Sequence, residues 1–176
     1  MGCVLMDLDI SYSGMEQKFF ELATEVVSGE GYLLYDMEYI KGSKTLRVYI
    51  MNKETRTAVI EDCVNVDRAF SEPMEALDWI PDDIVLEVSS PGMFRKIKTR
   101  EHLELSIGER ILVQLNKKFG DLFPGEKFDK KTTNAKKVIC SLNSYGDDYI
   151  DVTLDSDFDL KLNLNDINKI ALEPEV

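Results

Sequence analysis

Apolar residues recur at intervals of three or four between residues 15 and 27, which is the spacing of one face of an α-helix. Ser13 and Glu16 have the spacing of a capping box, and Gly29 or Gly31 is suited to end the helix. The pattern predicts a first amphipathic helix, whose buried face would consist of Met15, Phe19, Leu22, Ala23, Val26 and Val27.

Two alternating segments follow this helix. Residues 32–40 and 45–51 have the composition of strands, and the short polar segment 41–44 joins them. Leu46, Val48 and Ile50 alternate with more polar neighbours. The segments therefore predict a β-hairpin with one buried and one solvated face.

A second helical pattern begins near Ile60. Pro73 lacks an amide hydrogen and clashes with the preceding turn, so we expect the helix to kink or restart there. Residues 84–90 then form a strand. The order helix, strand, strand, helix, strand lets two helices cover one face of a three-stranded sheet, which predicts a two-layer α/β domain over residues 15–92. The apolar face of the second helix would consist of Cys63, Val64, Val66, Ala69 and Phe70.

The pattern changes to short strands in the second half of the chain. We expect a basic linker at residues 93–104 and a small β-barrel over residues 105–176. Residues 116–137 are too long for a hairpin turn and predict a mobile basic loop. The fold class is therefore α+β with two domains. The five barrel strands are predicted at residues 110–115, 138–142, 149–154, 158–162 and 170–172.

Composition limits the classes of protein that fit. The 176 residues are 44% apolar and 31% charged, and no apolar run approaches the ~20 residues of a membrane helix, so no membrane partner is expected. Cys3, Cys63 and Cys140 lack the spacing of a zinc or redox motif, which favours a reducing cytoplasm. Residues 1–14 carry no targeting pattern and are expected to be a poorly ordered leader or an artificial extension.

Charge is sorted into blocks along the chain, whose formal net charge is −12. Residues 1–94 hold 7 Lys and Arg against 18 Asp and Glu, whereas residues 95–140 hold 12 against 6. Residues 141–176 are again acidic, with 2 against 9. An acidic first half attracts basic partners, and the basic central block suits contact with phosphate.

Few residues are candidates for catalysis or for binding of a metal or cofactor. Ser89 and Ser90 end a predicted strand, but no nucleophile elbow surrounds them, and His102 is the single histidine that could serve as a base. Hydrogen bonds from these hydroxyls to nearby backbone groups are the favoured interpretation. The aspartate-rich segments lack the calcium-loop pattern and the glycines lack a phosphate-binding pattern, so we expect no metal and no cofactor.

Aromatic and basic residues interleave in the segment 116–137. Phe119, Phe123 and Phe128 lie among lysines, which is typical of single-strand nucleic-acid binders. Alternatively, the aromatic rings anchor a long loop to the barrel while the lysines remain in water. The candidate rRNA contacts are Lys117, Lys118, Lys127, Lys130 and Lys131.

The segment Leu86-Glu87-Val88-Ser89-Ser90-Pro91-Gly92 resembles the domain junction of the RimP family. Similar fragments follow the family's order at residues 36–39, 46–50, 61–63 with 68–69, and 166–175. After Gly92 the family has leucine, an acidic residue, arginine, proline and an apolar residue. This chain keeps the arginine, Arg95, but has Phe94 and Lys96 at the acidic and proline positions.

The resemblance implies a non-catalytic assembly factor required for maturation of the small (30S) ribosomal subunit. It implies an SH3-like or Sm-like carboxy-terminal barrel and binding to the immature free subunit in the cytoplasm. The implied contacts are rRNA and a basic ribosomal protein near the decoding centre, and we expect a monomer. The exposed sheet end at the junction is the candidate ribosome-binding site, which comprises Ser89, Ser90, Pro91, Gly92, Arg95 and Lys96.

Two rival functions remain open. The first is a free-standing RNA-binding module, whose affinity would reside in bare RNA and fall steeply with salt. The second is a hydrolase that uses the hydroxyls of Ser89 and Ser90 with His102 as the base.

Overall fold

The computed structural model describes residues 11–175. These residues form two compact units, which meet in sequence between Gly92 and Met93, and each unit has its own hydrophobic core. The first ten residues of the predicted leader, with Cys3, lie outside the described residues.

The first unit contains α1 (Gly14–Gly29), β1 (Leu33–Ile40), β2 (Thr45–Met51), α2 (Ile60–Ala76) and β3 (Val85–Ser89). Its sheet has the order β1-β2-β3, with β1 antiparallel and β3 parallel to β2. A parallel pair requires a crossover connection, and α2 provides it between β2 and β3. The predicted element order and the mixed α+β class are confirmed.

The two faces of β2 have opposite environments. Leu46, Val48 and Ile50 are fully buried and share one core with Phe19 of α1 and Phe70 of α2. On the other face, Arg47 Nε lies 2.8 Å from Glu87 Oε2, and Arg47 Nη1 lies 3.7 Å from Glu38 Oε2. The alternation in sequence thus places apolar side chains under the helices and an ion-paired row in water.

The first helix begins after Ser13 and ends at Gly29, as predicted, but the predicted capping hydrogen bond is absent, and the predicted restart of the second helix at Pro73 is wrong. Ser13 is the residue before α1, but its side chain makes no capping hydrogen bond, because Gly14 follows it in the left-handed conformation, with φ of 58°. The second helix continues through Pro73 to Ala76. Pro73 lies in the last turn, where its missing amide costs one hydrogen bond, and its carbonyl accepts from Leu77 N–H at 3.1 Å.

The second unit is built on six antiparallel strands in the order β4-β9-β5-β6-β7-β8. In the described part of the chain, no pairing between β4 and β8 closes this sheet into a barrel. One apolar core contains side chains from all six strands. The elements are β4 (Lys96–Ile97), α3 (Arg100–Leu105), β5 (Arg110–Leu115), α4 (Phe119–Leu122), α5 (Lys130–Asn134), β6 (Lys137–Tyr145), β7 (Tyr149–Leu154), β8 (Asp159–Asn163), a 3₁₀ turn (Leu164–Asp166) and β9 (Ile167–Leu172).

Two segments predicted as irregular contain regular structure. The expected linker 93–104 includes β4 and most of α3, which begins where Thr99 Oγ1 accepts from His102 N–H at 3.1 Å. The expected loop 116–137 contains α4 and α5, which pack closely: a Cβ added at Gly120 would lie 2.5 Å from Thr133 Cγ2. This segment, hereafter the insert, is therefore a folded hairpin of two short helices.

Candidate functional site

Strand β3 ends at the two predicted serines. Ser89 is exposed and pairs in register with Tyr49 of β2. Ser90 Oγ accepts a hydrogen bond from Gly92 N–H at 3.3 Å, and Gly92 has a φ of 85°, which favours glycine. The Ser90 hydroxyl thus closes the turn at residues 90–92, which agrees with the backbone-bonding interpretation for Ser90.

A groove of about 510 Å³ opens beside this turn. The end of β3 contributes Val88, Ser89 and Ser90, and the first half of α2 forms the facing wall. Ile60 and Val64 line that wall one helical turn apart. The predicted hydroxyl pair therefore lies at the rim of an apolar groove.

The α2 wall exposes unusually large apolar side chains. Ile60 is 80% exposed, Val59 is 55% exposed and Val64 is 39% exposed. In contrast, Val66 and Phe70 of the same helix are fully buried in the core. Helix α2 thus has a second apolar stripe outside the core, which makes the stripe a candidate interaction surface.

Charged groups are fixed around the groove. The Asp62 carboxylate accepts from Val59 N–H at 2.9 Å and from the Tyr32 hydroxyl at 2.7 Å. These two hydrogen bonds hold the pKa of Asp62 below its usual range. Asp67 and Arg68 line the groove one to two turns further along α2. The groove lining therefore combines apolar side chains with one acidic and one basic residue.

The groove lining includes one thiol, that of Cys63, among the described residues. Burial, and then the Asp62 charge, raise the pKa of the Cys63 thiol, so the reactive thiolate is disfavoured. His102, the base of the hydrolase rival, is 2% exposed, and its Nδ1 accepts from Lys98 N–H at 3.0 Å. His102 is therefore buried in the second unit with its Nδ1 engaged by the backbone.

Arg95 and Lys96 belong to the second unit, whereas Ser89 and Ser90 belong to the first. The Arg95 carbonyl accepts from Leu172 N–H at 3.0 Å, and Lys96 pairs with Ala171 at the start of β4. The Arg95 side chain is half-buried and that of Lys96 is exposed. Both residues are thus fixed to the edge of the six-stranded sheet.

The five predicted rRNA-contacting lysines are all exposed and lie in the insert. Lys127 and Lys131 line a second cavity, while Lys117, Lys118 and Lys130 lie outside its lining. Phe119 is fully buried, and its ring centroid lies 5.0 Å from that of Phe123 and 4.8 Å from that of Phe128. The anchoring interpretation therefore holds for Phe119, which cannot stack on a base.

Sequence reasoning missed the groove itself. The helical pattern places Val64 on the predicted core face of the second helix and includes Val59 in no face. The available signal was the run of apolar positions at residues 59, 60, 63 and 64, offset around the helix from the core positions 66 and 70.

The chain thus combines an α/β unit that contains an apolar groove with a unit built on an antiparallel sheet, and its fold class is mixed α+β. Residues 22–94 match the family model described as the RimP N-terminal domain. This match starts within α1 and ends just beyond the Gly92 turn, so it contains the entire groove. The resemblance of the sequence to the RimP family of ribosome maturation factors is therefore confirmed over residues 22–94.

Proposed function

We propose that this protein is a non-catalytic assembly factor required for maturation of the small (30S) ribosomal subunit, and that it binds the immature free subunit. The observation that carries the proposal is the RimP N-terminal domain match over residues 22–94. The groove supports binding as the mode of action, because it presents exposed apolar side chains.

The charge of the first unit indicates its partner. Residues 11–92 carry 7 Lys and Arg against 16 Asp and Glu. An acidic surface attracts basic proteins and repels RNA phosphates. We therefore assign the groove, including Ser89 and Ser90, to a basic ribosomal protein near the decoding centre. Pro91 and Gly92 shape the adjoining turn, and Arg95 and Lys96 would add contacts from the second unit.

The second unit is proposed to be the SH3-like or Sm-like barrel of the family. Strands β5 to β9 share one core with Ile97 and Leu103, which is compatible with a small barrel. In this proposal the domains are residues 15–92 and 105–176, joined by residues 93–104. The exposed lysines of the insert would contact rRNA.

We also propose that the protein works in the cytoplasm as a monomer. In the described part of the chain, no helix has both the length and the apolar character needed to cross a bilayer. The cytoplasmic location follows from the proposed role in the assembly of ribosomal subunits.

A free-standing RNA-binding module is the second candidate function. The observation that favours it is the insert, whose residues 116–137 contain 7 lysines against 3 acidic residues. Such a module would bind protein-free rRNA as tightly as it binds a subunit, with a steep salt dependence.

Pelleting assays separate the two candidates. Purified protein is mixed with immature small subunits, mature small subunits or protein-free rRNA, and bound protein is measured over a range of salt concentrations. The assembly-factor proposal predicts that immature subunits retain the protein at salt concentrations that release it from bare rRNA. Equal retention on bare rRNA at every salt concentration would favour the module.

A further inference from the structure

A second cavity, of about 610 Å³, lies between the insert and the turn that joins β7 to β8. Val138 and Leu154 belong to its floor, and both are buried members of the sheet core. Lys127, Lys131 and Lys137 line the insert side. The cavity thus has an apolar base and a basic wall, hereafter the insert pocket.

A chain of aromatic rings leads from the core to the mouth of the insert pocket. The ring centroids of Phe119 and Phe128 lie 4.8 Å apart, and those of Phe128 and Phe158 lie 5.4 Å apart. Exposure rises along this chain from none at Phe119 to 37% at Phe158. Phe158 is therefore the ring at which a ligand can stack, and the two inner rings support it.

The turn that carries Phe158 is held by its own backbone. Leu154 N–H donates to the Phe158 carbonyl at 2.9 Å, and Asp157 N–H donates to the Leu154 carbonyl at 2.9 Å. The opposite wall is equally fixed, since Phe119 N–H donates to the Ala135 carbonyl at 2.8 Å. Both walls are thus ordered before any ligand binds, which lowers the entropic cost of binding.

Charges around the insert pocket favour an anion. Its two lining carboxylates are already engaged: Asp129 accepts from the N–H groups of Thr132 and Lys131, and Asp155 Oδ2 lies 3.1 Å from Arg110 Nη2. Hydrogen bonds from Thr132 and then Lys131 lower the pKa of Asp129. Within residues 11–175, no carboxylate forms an ion pair with the three lining lysines.

We propose that the insert pocket binds single-stranded RNA, with one base stacked on Phe158 and the flanking phosphates held by Lys127, Lys131 and Lys137. An acidic peptide would form ion pairs with the lysines but would leave the ring of Phe158 without a planar partner. A nucleotide provides both a phosphate for the lysines and a base that stacks on the ring. The assignment rests on the proposed contact between the insert and rRNA. It replaces the five predicted lysines by the lysines that line the insert pocket. It adds Lys137 and Phe158 to the predicted residues.

The test uses the full chain and a fluorescently labelled single-stranded oligoadenylate of about ten nucleotides, a length within the usual site size of such proteins. The pocket variant carries Lys127→Gln, Lys131→Gln and Lys137→Gln. If each lysine contacts one phosphate, the slope of log K against log salt concentration should be about 2 smaller in magnitude for this variant than for the wild-type protein. Replacing Phe158 with alanine should weaken binding about 10-fold, as expected for the loss of one stacked base.

The matched control removes the same charge elsewhere in the insert, by Lys117→Gln, Lys118→Gln and Lys130→Gln. Because all six lysines are exposed, neither triple variant should alter the melting temperature appreciably. Phe158→Leu provides a second test that keeps the apolar bulk but removes the flat ring, and it should also weaken binding.

Three results would overturn the assignment: equal losses in the two triple variants, unchanged affinity in both Phe158 variants, or binding of a polyglutamate peptide as tight as that of the RNA. Pelleting of the wild-type protein with immature subunits is measured in parallel. If the wild-type protein pellets with immature subunits but does not bind the oligonucleotide, the pocket alone is refuted. If the wild-type protein does not pellet with immature subunits, the proposed function is refuted.

Discussion

Replacing Ile60 with alanine is expected to weaken binding to the immature small subunit without unfolding the protein. Ile60 is 80% exposed, so truncation removes little apolar contact from the folded chain. The free energy of unfolding should therefore change by less than about 0.5 kcal/mol. The same exposed surface would become buried if a partner segment occupied the groove.

The size of the binding effect follows from that exposure. The substitution removes three carbon atoms, and burial of each carbon contributes about 0.8 kcal/mol. Multiplied by the exposed fraction of the Ile60 side chain, the expected loss of binding free energy is roughly 2 kcal/mol. A loss of roughly 2 kcal/mol corresponds to about a 25-fold increase in Kd.

The assay is a titration of labelled protein with immature small subunits, combined with chemical unfolding of the same samples. Val85→Ala is the matched control, because Val85 is 50% exposed on β3 but lies outside the groove lining. Equal affinities of the Ile60→Ala variant and the wild-type protein would refute the assignment of the groove. A large loss of stability in that variant would refute the exposed position of Ile60.

Three further predictions concern the fold. Phe19→Ala should lower the free energy of unfolding by about 3–5 kcal/mol in urea, because Phe19 is fully buried against Tyr39 and Trp79; a loss below about 1 kcal/mol would contradict this packing. Burial, with a smaller effect of Asp155, raises the pKa of the Cys140 thiol from 9.0 to about 12. The neutral thiol therefore contributes to the stability of the fold below pH 9, and this contribution is lost as the pH rises towards 12. Unfolding measured from pH 8 to pH 11 should show this decline, which Cys140→Ala should reduce. Gly120→Ala should separate α4 from α5 and raise proteolysis or amide exchange within the insert, and unchanged protection there would exclude their close packing.

Strand positions were predictable where one face of the strand is buried. The predicted bounds of β2, β5 and β7 agree with the structure, because side chains at alternate positions of each enter a core. Strand β4 has two residues, of which Ile97 is buried, and so short a strand leaves no periodic signal. Its position depends on pairing with β9, which is distant in sequence.

The insert was less predictable for a related reason. Helices α4 and α5 have four and five residues, too few for a helical period to be recognised. Their stability comes from tertiary contacts of Phe119 and from the Asp129 cap. The sequence identified the lysines and rings as a candidate RNA contact, but only the fold distinguishes Lys127 and Lys131, which line the insert pocket, from Lys117 and Lys118, which do not.

The candidate groove shows a different limit. Apolar residues at helical spacing predict that a helix has a buried face, but they do not distinguish a face buried within the chain from one buried by a partner. Val66 and Val64 have similar side chains two positions apart, yet the first is fully buried and the second is 39% exposed. The resemblance at residues 86–92 located the site, whereas its apolar wall required the structure.

The central claim, that this protein acts on an unfinished small subunit, is tested most directly by its distribution in a sucrose gradient of cell extract, followed with a specific probe. The proposal predicts comigration with free small subunits, enrichment in fractions whose rRNA is still unprocessed, and absence from complete ribosomes. Sedimentation of all the protein at the top of the gradient, or its equal presence on complete ribosomes, would contradict the claim.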